Sequence, residues 1–222
     1  HDKKKKSISY QNVWLNIYDT PVVYFPKFFH PDPTVKRQSG FLMPSFKTSP
    51  NNNTFFSIPY FNAISENKDM TFTPRFYNTD KFLLQNEYRQ KNKDSEFMTD
   101  FSVFADKRKI ENHLFLNFSK KIDIDNFKTS DFQINIEQAS NDTYLRANKL
   151  TSPIIKSTDV LENYFKINMS SDDTQLNSEV IIYENLNRGS SDKYEYIFPR
   201  LDIVKKIQNK TQLEGDFTFK TS

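Results

Sequence analysis

The sequence predicts an all-β chain, an antiparallel meander of short amphipathic strands, on three observations. Apolar and polar residues alternate at a period of two in run after run, the pattern of a half-buried strand. Clusters such as "SENKD", "YNTDK", "KNKDS" and "SSDD" separate the runs and mark short polar turns, which suit antiparallel neighbours. Glycine occurs only 3 times while aromatic residues make up 15% of the chain, so the small residues of phosphate-cradling loops are missing and strand-favouring side chains abound.

From the N-terminus, "SYQNVWLNIY" and "PVVYFPKFF" give strands near 10–18 and 22–28, apolar on both faces. In "KRQSGFLMPSFKTS" the apolar run 41–48 is cut by Pro44, a residue that cannot donate to a ladder and belongs on edges or at bulges. A run at 54–64 carries Pro59. "MTFTPRFYN" sets Met70, Phe72, Pro74 and Phe76 against Thr71, Thr73, Arg75 and Tyr77. Strands follow at 81–90 and 96–106, and "HLFLNFSKK" opposes Leu114, Leu116 and Phe118 to Phe115, Asn117 and Ser119. The stretch 121–158 breaks the rhythm and reads as a large loop with a short helix or strand near "DFQINIEQA". "ENYFKINMSS", 177–185, 193–204 and 213–220 complete the series.

Composition narrows function. The chain has 31 basic and 28 acidic residues spread evenly, a poor footprint for nucleic acid, and the one like-charge run, "HDKKKK", reads as a solvated tip. There are no cysteines, hence no disulfide or thiolate metal site. His1, His30 and His113 lack any paired zinc spacing, and His30 in "FFHPDP" reads as a turn residue. Asp123, Asp125 and Asp131 lack the glycine and closing glutamate of a calcium loop, and the adjacent Asp172 and Asp173 read as a turn. No metal, cofactor or catalytic constellation is expected, and no enzyme. No run approaches the roughly 18–20 apolar residues of a membrane helix, but membrane strands need only about 9–11 residues with every second one apolar. With neither an initiator Met nor a signal peptide, the chain is expected to be a piece of a longer protein.

Pattern alone leaves the partner of the apolar face open. It packs in a soluble sandwich core, or it faces lipid around a polar lumen. Arg75, Glu87 and Arg89 suit a wet lumen, and aromatics cluster at strand ends in "FFSIPYF" and "PRFYN", where girdles sit.

Across Pro21 to Arg89, "PVVYFPKFFHPDPTVKRQSGFLMPSF" and then "SIPYFNAISENKDMTFTPRFYNTDKFLLQNEYR" resemble the LPS-assembly outer-membrane family LptD, also called OstA or organic solvent tolerance protein. The family blocks P-V-x-Y-x-P-Y, a basic pair before S-G-F-L-x-P, a T-P-R-Y segment and an E-[FY]-R ending match in order and spacing. "SNDTYLR" and "YEYIFPRLDI" continue the likeness, which is strongest over 8–106. Asn62 replaces the usual tryptophan, and "SENKD" stands where A-P-N-x-D is typical.

The resemblance implies a two-part anatomy. Residues 1–36 would be the last strands of a periplasmic β-jelly-roll and its hinge, and residues 37–222 the N-terminal strands of a transmembrane β-barrel, incomplete and with an open edge. It implies lipopolysaccharide transport at the outer membrane, with a plug lipoprotein, LptE, a periplasmic LptA-like bridge protein and outer-membrane lipids as partners. Pro44 and Pro59 would weaken a lateral gate, Lys36 and Arg37 would be hinge or lipid-phosphate candidates, and Arg75, Glu87 and Arg89 would face the lumen. A passive porin or receptor barrel and a soluble β-sandwich binding module are the competing expectations.

Overall fold

The structure, a computed structural model, describes residues 7–17, 19–31, 37–48, 54–208 and 214–221. Strands dominate it, as the alternation predicts. The first two, β1 (Ser7–Ile17) and β2 (Thr20–Pro31), form a hairpin that is a two-stranded sheet of its own. Asp19 sits in its tight turn with φ of 61°, in the left-handed region that such turns demand. Trp14 lies opposite Tyr24 with ring centroids 4.9 Å apart, and the Tyr24 hydroxyl donates to the Asn12 side-chain oxygen at 2.6 Å. The backbone of His30 belongs to β2, opposite Ile8, and not to a turn. Extended geometry before a proline serves a strand end as well as a turn.

The run expected at 41–48 is split into β3 (Gly40–Phe41) and β4 (Ser45–Lys47), and the next into β5 (Phe55–Ser57) and β6 (Tyr60–Ser65). Longer strands follow: β7 (Lys68–Tyr77), β8 (Phe82–Lys91), β9 (Ser95–Asp106), β10 (Lys109–Lys121), β11 (Thr129–Ala139), β12 (Val160–Ser170), β13 (Thr174–Asn185), β14 (Tyr194–Gln208) and β15 (Glu214–Thr221). The chain forms two compact units, residues 1–88 with 103–110 and residues 89–102 with 111–222. In the first, β4 pairs with β5, β3 with β6, and β5 and β6 both with β7, all antiparallel. In the second, β10 through β15 pair antiparallel in sequence order.

β11 resolves the irregular stretch. Its face of Gln133, Asn135 and Glu137 is as polar as a loop, and the strand shows only in the alternate Phe132, Ile134 and Ile136. The polar half is bonded across strands: Asn117 Nδ2 donates to Asn135 Oδ1 at 3.0 Å, and the Glu162 N–H donates to Glu137 Oε2 at 2.8 Å. Between β13 and β14 the register slips, because Glu179 faces Arg200 but Ile181 faces Ile197. Phe198 and Pro199 thus oppose Val180 alone, a bulge of the kind that admits a proline.

Connections differ between the two ends of the second unit. At one end the connections 92–94, 122–128 and 171–173 are three, seven and three residues long, and Lys121 N–H donates to Asp94 O and Lys206 N–H to Asp173 O beside them, at 2.7 Å each. At the other end lie 140–159, which contains the short helix α1 (Tyr144–Ala147), and 186–193. There Lys193 donates to Asp142 of the long connection at 2.8 Å and pairs with Glu184 at 2.7 Å. These hydrogen bonds, the one to Asp142 first, hold its ammonium well above the ordinary lysine range. A raised lysine stabilises the fold throughout neutral pH, and the contribution fades only as strongly alkaline pH passes the raised value.

Alternation decides which substitutions cost most. Phe115 is fully buried while its neighbour Leu114 is 44% exposed. Phe115→Ala should destabilise by about 3–5 kcal/mol and Leu114→Ala by under about 1 kcal/mol. Urea titration followed by circular dichroism measures both, and equal losses would show that β10 does not present the faces described.

Candidate functional site

Two features stand out: interrupted first strands in the first unit, and a polar sheet face in each unit.

The interruption is a matter of register. Phe41 faces Tyr60 and Ser45 faces Ser57, so Leu42, Met43 and Pro44 oppose only Ile58 and Pro59. One extra residue on the first strand makes this a bulge. Across the gap the Leu42 N–H donates to Pro59 O at 2.9 Å. In an antiparallel pair of this kind the partner returns an N–H, and Pro59 has none. Pro59 therefore lies opposite Leu42 and Pro44 toward Ile58, at neighbouring levels of one ladder, and that ladder is thin there. Met43 within the bulge is 86% exposed.

Arg37 anchors the entry to this pair. Its guanidinium donates to the Glu66 carbonyl and pairs with the Asp69 carboxylate, on the turn and strand that follow β6. A lipid phosphate would have to compete with Asp69 for it. Lys36 lies outside the described residues. Further along, Ser39 Oγ accepts the Ala63 N–H at 2.9 Å, fixing the chain against β6 just before the interruption.

The faces separate by chemistry. On one face of β4, β5 and β7 the register lines up Phe46, Phe56 and Phe76, and the Phe76 ring lies 5.5 Å from Phe82. On the other face Arg75 is buried, sits 5.0 Å over the Phe55 ring and donates to Gln85 Oε1 at 3.4 Å. Period two puts Glu87 and Arg89 on the face of β8 that carries Gln85, with Glu87 half-buried and Arg89 exposed. In the second unit the polar face carries a charge ladder across three strands: Lys166 pairs with Glu179 at 3.4 Å, and Arg200 reaches Glu179 at 3.6 Å and Asp202 at 3.1 Å. Opposite charges on facing strands stabilise one another and keep the face wettable.

One buried cluster in the second unit joins two strands to the 140–159 connection. Ser102 Oγ lies 2.7 Å from His113 Nδ1 and 2.6 Å from the Tyr144 hydroxyl, and His113 Nε2 lies 3.3 Å from Asp100 Oδ1. All four side chains are buried. One proton arrangement serves every contact: Tyr144 donates to Ser102, Ser102 to Nδ1, and Nε2–H to Asp100. The residue types are those of a hydrolase triad, but a fully buried Ser102 has no approach for a substrate. The cluster instead docks the 140–159 connection through Tyr144. Asp100 and Ser102, two residues apart at buried positions of one strand, are the trace it leaves in the sequence.

His113→Ala removes a donor from a buried carboxylate and should destabilise by about 3 kcal/mol. Amide exchange over 144–150 should quicken in step. Unchanged exchange there would show that the connection is held by something else.

Comparison with known proteins identifies relatives of this chain. The family model described as "LptD protein" matches residues 8–201. A protein named "LPS-assembly protein LptD" from Pseudomonas entomophila (strain L48) is 39% identical over 85 residues, covering 38% of this chain and 9% of its own length. A namesake from Shewanella denitrificans is 32% identical over 166 residues, covering 71% of this chain and 20% of its own. A third, from Chromobacterium violaceum, is 40% identical over 78 residues, 35% of this chain and 10% of its own length. The chain thus spans between 9% and 20% of these curated relatives. With most of its length matched by that model, and with β-strands over most of the match, the chain belongs to the LptD family.

Proposed function

We propose that this chain is the segment of an outer-membrane lipopolysaccharide-assembly protein in which a periplasmic jelly roll gives way to a transmembrane barrel, and that its first strands form a seam through which lipopolysaccharide leaves sideways. The thinned ladder at Pro44 and Pro59 carries this reading, supported by family membership and by the names of the relatives. Residues 1–36 are the jelly-roll end, a division supported by the separate β1–β2 sheet, and residues 37–222 are the barrel strands. A passive porin has no use for such a leading sheet.

The short turns 92–94 and 171–173 mark the periplasmic end and the long 140–159 connection the outer one, as in outer-membrane barrels generally. The band of Phe46, Phe56, Phe76 and Phe82 faces lipid. Arg75, Glu87 and Arg89 face the lumen, where the sugars pass while acyl chains enter the bilayer. Arg37, with Lys36 before it in the sequence, is the candidate for lipid phosphates at the membrane surface. A plug lipoprotein of the LptE kind and a bridge protein of the LptA kind are the expected partners.

The test replaces Pro44 and Pro59 together by alanine in the full-length protein and follows lipopolysaccharide arrival at the cell surface. Each restored backbone bond should slow arrival by about two- to tenfold. Undiminished arrival through a seam shown by cross-linking to be closed would sink the reading.

A further inference from the structure

A third proline belongs to the interruption. Pro44, Pro59 and Pro74 follow one another at fifteen-residue steps, and Pro74 lies inside β7, where the strand itself runs unbroken. β5 and β6 keep one register on β7: Ser57 faces Arg75 on one side of the gap and Tyr60 faces Phe72 on the other. Ile58 therefore stands opposite Pro74, and Pro59 opposite Thr73.

The direction of the bonds follows from two contacts. The Asn78 N–H donates to Thr54 O at 3.1 Å, so even-numbered residues of β7 bond toward β5 and β6. The Tyr77 N–H turns the other way, to Lys81 O at 3.4 Å. Bonded and non-bonded pairs alternate in an antiparallel ladder, which carries the bonding phase from Asn78 and Thr54 to Phe76 and Phe56 and then to Pro74 and Ile58. At that place Pro74 has no N–H to give. Pro59 withholds its donor from the first strand, and Pro74 withholds its own from Ile58, the residue beside Pro59. The two deficits lie at one height on the two sides of a single strand.

From this we infer that Pro74 is a positioning residue for lateral release: it loosens the second ladder at the level where Pro59 loosens the first, so that the strands 40–47 and 55–65 swing together as a flap hinged on β7. The inference rests on the lateral-release reading, and the experiment separates the two. Pro59→Ala, Pro74→Ala and, as a comparison, Pro199→Ala at the β14 bulge are made singly in the full-length protein, with assembly checked by heat-modifiable mobility. Lipopolysaccharide arrival is timed, and exchange of the newly introduced amide is read by mass spectrometry.

P74A should slow arrival about two- to tenfold, the factor one backbone bond carries, with its new amide protected, while P199A leaves arrival unchanged. P59A slowing arrival while P74A does not overturns the role of Pro74 and leaves the lateral reading standing. Neither slowing arrival removes the lateral reading itself. A slow P74A whose new amide exchanges freely also overturns the inference, because the ladder is then not the cause. Should P74A fail to assemble, Pro74→Val, which supplies the same N–H on a strand-favouring residue, decides on the same readouts.

Discussion

A strand residue brings two hydrogen-bonding groups to its neighbours, and a proline brings one. Much of this chain follows from that difference. In hydrocarbon there is no water to satisfy a leftover backbone group, so a sheet that spans a membrane must bond its groups internally. β8 through β14 are long strands, and the one proline among them, Pro199, is absorbed by a bulge in which two residues oppose one. The first strands depart from the rule, since β3, β4, β5 and β6 are fragments of two to six residues parted at Leu42–Pro44 and Ile58–Pro59. On the lateral-release proposal, the thin ladder of these first strands is the preferred place to part.

The same rule of alternation distributes the side chains. Each strand offers alternate residues to opposite faces, so one face can be a band of Phe46, Phe56 and Phe76 while the other buries Arg75 over Phe55. On the polar face of the second unit, Lys166, Glu179, Arg200 and Asp202 neutralise one another across strands and so present charge without a net excess. A surface of that kind hydrates without holding any one charged group tightly. The Ser102, His113, Asp100 and Tyr144 cluster is the contrasting case, a polar group removed from water and fully bonded, and it serves to seat a connection.

Much of this was legible in the sequence, for a physical reason. Period two is a local property, so strands with one apolar face announced themselves, and so did a proline within an apolar run. β11 stayed open between a short helix and a strand, because Gln133, Asn135 and Glu137 are loop-like residues until Asn117 and the Glu162 backbone are known to meet them. His113 looked like an isolated histidine for the same reason: its partners lie on another strand and on a connection. Pro74 was placed correctly on the apolar face of its strand, yet its effect depends on which neighbour its missing N–H would have faced. Register fixes that, and register joins residues fifteen or more apart.

Proline also acts on the far side of an opening. When two strands separate within a bilayer, every N–H and C=O that bridged them is left facing hydrocarbon, at several kcal/mol each. An edge that merely had weak bonds would still pay that penalty on opening. An edge built with Pro44 and Pro59 has fewer donors to strand in lipid, so the missing N–H groups both loosen the closed pair and lower the free energy of the open one. Glycine or a mismatched side chain would supply only the first effect. On the proposed lateral release, that asymmetry is a physical reason for proline, and not simply disorder, to occupy the seam.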